Sequence, residues 1–150
     1  MKRLAIIPAR GGSKRLPNKN VRDFLGKPII SYTIRAAIES DVFDRIIVST
    51  DSEKIAEVSE SFGAIVDKRP DRLSTGSAHL LDVCEDLLTR ESGDGRDYDV
   101  LCMLHATSPL RWAADIKTVM DMIDTGDCEF AVALTEYNLP AHQALILDDD

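Results

Sequence analysis

A chain of 150 residues with 44% hydrophobic content has the size and apolar supply of one domain built on a single core. Its net charge of −8 excludes a nucleic-acid or anionic-membrane surface as its general character, and no apolar run approaches the roughly 20 residues that span a bilayer. Cys84, Cys102 and Cys128 are odd in number, far apart and free of any CxxC pairing, so a reducing cytoplasm is the expected compartment.

The chain opens with a strand pattern from Arg3 to Pro8 rather than a secretion signal. Behind it lies a basic loop, Ala9-Arg10-Gly11-Gly12-Ser13-Lys14-Arg15-Leu16-Pro17-Asn18-Lys19-Asn20. Gly11 and Gly12 let the backbone approach a ligand closely, and successive amides in such a turn can form an anion-binding nest. Arg10 can give a bidentate contact to phosphate oxygens, while Lys14 and Lys19 sit five residues apart around Pro17 and can reach one polyphosphate from different sides. Residues 1–35 hold nine Lys/Arg and a single acid, Asp23, whereas the remaining residues are strongly acidic. A localised positive site on an acidic chain suits a small multivalent anion. GxGxxG and GxxxxGK[ST] are both absent, so this is a different phosphate loop.

Pro28 opens an amphipathic helix to about Ser40, and Arg45–Ser49 reads as the second strand. Thr50 and Glu53 fit a capping box for a helix carrying Ile55, Val58 and Phe62, with Asp51 serving the cap or the helix dipole. Gly63 ends that helix before a short strand, Ala64–Val66. After a loop from Arg69 to Gly76, a helix is expected from about Ser77 to Arg90, then a surface loop from Glu91 to Arg96. Asp99–Leu104 reads as a strand buried on both faces, with Cys102 in the core. Ala114–Ile123 is helical, with Trp112 packed at its start. Phe130–Leu134 is expected as another strand and Gln143–Leu147 as one more.

Strands alternating with helices give an α/β fold: three layers, a mostly parallel sheet with helices on both faces. Ligands of such sheets bind at the carboxyl ends of the strands, which places the loops Ala9–Asn20, Ser49–Ser52, His105–Arg111 and Thr135–Pro140 on one rim. His79 and His142 have no partner at metal-ligand spacing, and Ser108 has no paired histidine or acid, so it is not read as a nucleophile.

The segment Ile7–Lys14 with Pro17 and Lys19-Asn20 resembles the N-terminal signature of the acylneuraminate cytidylyltransferases. Phe43–Asp51, Arg69-Pro70 and Ala106-Thr107-Ser108-Pro109-Leu110-Arg111 follow in that family's order. The resemblance implies a Rossmann-like nucleotide-diphospho-sugar transferase fold, lacking its C-terminal part, with residues 1–150 as the nucleotidyltransferase domain. It also implies a reaction in which a nine-carbon keto sugar acid of the sialic type attacks the α-phosphate of CTP and pyrophosphate leaves. Such catalysis is positioning plus electrostatic stabilisation. The resemblance assigns catalysis to Arg10, Lys14 and Lys19. It assigns nucleotide binding to those three with Ala9, Gly11, Gly12, Ser13, Asn20, Arg69 and Ser77, and the sugar side to His105, Thr107, Ser108 and Arg111. Mg2+ is expected to bridge phosphate oxygens, its protein ligands unassigned.

His105 stands where the family shows glutamine, and the Arg69–Ser77 loop lacks an expected acid. The His105 departure leaves pseudaminate, legionaminate and 3-deoxy-manno-octulosonate open as the sugar; the C-terminal part beyond this length leaves a noncatalytic CTP-binding chain open, and the base-contacting loops leave a different base open. Family members are homodimers and continue past this length with their metal-binding aspartates and subunit-packing segment. A weakened or absent dimer is therefore expected, and Asp148–Asp150 is not read as the metal site.

Overall fold

Leu4, Ala5, Ile6 and Ile7 are all fully buried, and they form the axis of the molecule. In the computed structural model, which describes residues 1–13, 16–126 and 128–134, they lie in β1 (Arg3–Pro8). Side chains alternate across a strand. Ala5 and Ile7 therefore face one layer, with Ile30, Ile34, Val48, Ile55, Ile116 and Met120, while Leu4 and Ile6 face the other, with Ile47, Val83, Cys84 and Leu87. A strand between two apolar layers needs apolar residues at every position. Burying each large aliphatic side chain contributes about 1.5–3 kcal/mol.

The other elements are a short hairpin, β2 (Asp23–Phe24) and β3 (Lys27–Pro28), then α1 (Ile29–Ser40), β4 (Arg45–Thr50), α2 (Glu53–Ser61), β5 (Ile65–Lys68), α3 (Leu80–Gly93), β6 (Val100–Met103) and α4 (Ala113–Asp124). The main sheet has the order β5-β4-β1-β6 and every pairing in it is parallel. Helices α1, α2 and α4 cover one face and α3 the other, which is the three-layer arrangement that the strand–helix alternation predicts. The connections leave β1 toward β4 on one side, and the later β6 lies on its other side. Such a reversal of strand order opens a crevice at the carboxyl ends.

Several local expectations change. The capping box at α2 does not form: Ser52 is the N-cap without a side-chain cap, and Thr50 Oγ1 only accepts the Ser52 amide at 3.2 Å. Gly63 ends α2 as expected, at a φ of +90° that suits glycine. Helix α3 starts at Leu80 rather than Ser77 and runs through the expected surface loop to Gly93, because Glu91 turns inward to bind Arg96 and Tyr98. Strand β6 is half-buried throughout rather than covered on both faces, since it lies at the sheet edge. Cys102 is therefore half-buried too, though burial still raises its thiol pKa. Trp112 is 75% exposed rather than packed. Residues 130–134 have no strand pairing, and their large side chains Phe130, Val132 and Leu134 are exposed. The expected strand at Gln143–Leu147, the loop Thr135–Pro140, His142 and Asp148–Asp150 lie outside the described residues.

Candidate nucleotide-binding cleft

At the carboxyl ends of β1, β5 and β6 the loops surround a cleft of about 960 Å³. Arg10, Ser13, Lys19 and Asn20 reach it from the loop after β1, Arg69 and Thr75 from the loop after β5, and His105 and Thr107 from the loop after β6. Three cations, Arg10, Lys19 and Arg69, thus share one cleft, and no carboxylate stands among the described residues that line it. That charge pattern complements a polyphosphate.

The loop after β1 is held by its neighbours. The Ala9 amide donates to Ser49 O at 2.9 Å, which extends the β1–β4 ladder by one step. The Gly11 amide donates to Asp51 Oδ1 at 2.7 Å, and the Ser13 amide to Gly11 O at 2.9 Å. An uninterrupted nest of amides is therefore not present, because alternate N–H groups are spent inside the protein. Asp51 serves the loop across the chain, not the α2 cap that the sequence suggests. Asn20 is buried, and its Nδ2 donates to Arg10 O at 3.0 Å. Arg10 Nη1 donates to Thr75 O at 2.9 Å, so its guanidinium bridges the two loops across the cleft.

Arg69 is 5% exposed. Its Nη2 donates to Ser49 O at 2.6 Å and its Nε to Ser49 Oγ at 3.3 Å. Ser49 Oγ donates in turn to Asp67 Oδ2 at 2.8 Å, and Arg90 of α3 pairs with Asp67. Burial lowers the Arg69 pKa from the usual guanidinium value, and the charges of Asp51 and Asp67 oppose that shift. Much of this guanidinium is thus committed to the end of β4, and its charge forms part of the cleft floor.

Ser77 is exposed and faces Thr75 Oγ1 at 3.3 Å, between the cleft residues Gly76 and Ala78. His105 O accepts from Thr33 Oγ1 at 3.1 Å, which ties the loop after β6 to α1. Ser108 and Arg111 do not line the cleft. Arg111 is half-buried with its pKa lowered by burial, and its Nη1 has no hydrogen-bond partner among the described residues. Lys14 lies outside the described residues. Thr75 and Asp51 enter the site with no strong sequence signal: one contributes a backbone carbonyl, the other an acid whose nearest sequence role is a helix start.

Among the described residues no group of three or more His, Cys, Asp or Glu side chains could hold a metal ion, and the donors that line the cleft are cations, hydroxyls, an amide and an imidazole. These residues do not fit a resident Mg2+ site, which needs carboxylate oxygens.

Gly11 sits against Ser52: a Cβ at Gly11 would lie 2.9 Å from Ser52 Cβ. Gly11→Ala is expected to push the loop off the end of β4, at a cost of about 1–3 kcal/mol, and to weaken nucleotide binding. Thermal melting and nucleotide titration of the variant check this. Unchanged values in both would show that the contact is easily relieved.

The family pattern described as cytidylyltransferase matches residues 4–143. The chain belongs to the cytidylyltransferase family. It is similar to pseudaminic acid cytidylyltransferase of Campylobacter jejuni, 39% identical over 151 residues that cover 100% of this chain and 65% of that protein. It is also similar to N-acylneuraminate cytidylyltransferase of Streptococcus agalactiae, 43% identical over 138 residues, 91% of this chain and 32% of that protein. The chain therefore spans less than two thirds of the length of these curated relatives. Among solved structures, CMP:2-keto-3-deoxy-manno-octonic acid synthetase complexed with CTP superposes with a TM-score of 0.68 at 25% identity, over 84% of this chain and 49% of that one. The family and its fold agree with the resemblance carried by the motifs. No helix among the described residues is long and apolar enough to cross a membrane.

Proposed function

We propose that this chain supplies the nucleotide site of a cytidylyltransferase that activates an acidic keto sugar with CTP. The observation that carries the reading is the cleft itself: Arg10, Lys19 and Arg69 converge at the sheet's carboxyl rim with no carboxylate lining it among the described residues, in a chain of the cytidylyltransferase family. In the proposed reaction a sugar hydroxyl oxygen bonds to the α-phosphorus, and the bond from that phosphorus to the bridging oxygen breaks. Pyrophosphate carries off the bonding pair, and the hydroxyl proton is released. Arg10 and Lys19 offset charge on the triphosphate and the leaving pyrophosphate, which lowers the barrier most when the donors are fixed beforehand. The bridge from Arg10 to Thr75 O supplies such fixing. His105 and Thr107 line the cleft from the loop after β6, and the sugar is proposed to take that side. Mg2+ is proposed to arrive on the triphosphate, where it would neutralise phosphate charge, and no protein ligand is assigned to it.

The sugar proposed is a nine-carbon keto acid of the sialic type. A pseudaminate substrate is the second reading, favoured because relatives of that name match the whole length of this chain. Calorimetric titration with CTP, UTP, ATP and GTP, followed by pyrophosphate release with N-acetylneuraminate, pseudaminate, legionaminate and 3-deoxy-manno-octulosonate, tests both halves. Selective CTP binding with pyrophosphate released by one sugar supports the proposal. CTP binding without release from any sugar keeps the nucleotide half and rejects turnover by these 150 residues. No nucleotide binding rejects the site.

A further inference from the structure

We propose that Asp51 is a positioning residue for the phosphate loop: its carboxylate anchors the Gly11 amide and so aims the loop's remaining donors into the cleft. The role rests on the reading of the cleft as a CTP site. Asp51 follows β4 and contacts the loop 40 residues away, where its Oδ1 accepts from Gly11 N at 2.7 Å. Ser52 packs so closely beneath Gly11 that only a glycine fits without a shift. The loop therefore rests on the Asp51–Ser52 corner.

This anchor decides which amides can meet an anion. Gly11 and Ser13 donate inward, to Asp51 and to Gly11 O, while the amides of Arg10 and Gly12 have no partner among the described residues. Asn20 fixes the neighbouring Arg10 carbonyl from the opposite side at 3.0 Å. Both bonds fix the one peptide unit between Arg10 and Gly11, next to the Arg10 side chain that donates to Thr75 O across the cleft. An acid beside a polyphosphate site repels the ligand, so its presence calls for a gain elsewhere. The gain is loop geometry, together with support for the buried charge of Arg69, on which Asp51 exerts the largest favourable influence.

Geometry and charge are separable by substitution. Asp51→Asn keeps an Oδ1 acceptor for Gly11 and removes the negative charge, whereas Asp51→Ala removes both. CTP titration and the Gly11 amide resonance are measured for the 150-residue chain and both variants. In the wild type and Asp51→Asn the Gly11 amide is expected to be hydrogen-bonded and slow to exchange, with CTP dissociation constants within about threefold of each other. In Asp51→Ala the amide exchanges freely and CTP affinity falls about tenfold. A Gly11 amide unaffected in Asp51→Ala would overturn the anchor. An Asp51→Asn variant as weak toward CTP as Asp51→Ala would overturn it too, and would assign the role to charge. A wild-type chain that binds no CTP would reject the nucleotide reading, while the Gly11 amide still decides whether the anchor exists.

Discussion

Replacing Arg10 and Lys19 together with alanine is expected to weaken CTP binding on the order of 100-fold, or ~2.7 kcal/mol, with little change in melting temperature. Both side chains line the cleft and neither belongs to the core. Hydrogen bonds to charged groups contribute about 1.5–3 kcal/mol each, and two cations on one triphosphate share part of that, so the double variant stays below the simple sum. Arg10→Ala also cuts the bond to Thr75 O, which frees the loop between β5 and α3. It should therefore lose more affinity than Lys19→Ala. Calorimetry with CTP, paired with thermal melting, checks this. Normal CTP affinity in the double variant would remove the phosphate loop from the site.

A second large effect, on stability, is expected far from the cleft, at Glu91. This side chain accepts from Arg96 Nε at 2.8 Å, Arg96 Nη2 at 3.0 Å and Tyr98 Oη at 2.7 Å, and pairs with Arg45 at 3.3 Å. It joins the end of α3 to the entrances of β4 and β6. Glu91→Ala leaves the half-buried Arg45 without its acid and is expected to cost about 2 kcal/mol, discounted for the solvent that reaches Arg96. Hydrogen bonding from Arg96, then from Tyr98, holds the Glu91 pKa below its ordinary 4.5. A carboxylate whose folded pKa is depressed stabilises the protein above the unfolded value and loses that contribution as pH falls through the folded value. The melting-temperature gap between wild type and Glu91→Gln should therefore be full at pH 7 and close progressively below about pH 4.5. A gap independent of pH would assign Glu91 a packing role only.

The chain's own pattern determined the fold class. The short apolar run Leu4–Ile7, closed by Pro8, fits a strand covered on both sides, and Pro28, Gly63 and the alternation of periods mark the elements that follow it. The pattern also marked the loop after β1 as a candidate anion site, with two glycines and four cations in the eleven residues from Arg10 to Asn20. Tertiary structure decided what each group does there. Asp51 sits at a helix start in sequence, but the parallel pairing of β4 with β1 brings it under Gly11, and a 2.7 Å bond to an amide 40 residues away outcompetes a local cap. Arg69 lines the cleft, yet only the fold shows that much of its guanidinium is also bound to the end of β4. Asn20 lines the cleft as well, and its side-chain amide also holds the Arg10 carbonyl. Phe130–Leu134 has the period of a strand, yet a strand is made by its neighbour, and none pairs with it among the described residues. Composition and period report what a segment can bury, whereas hydrogen-bond partners depend on which distant segments the sheet order brings together.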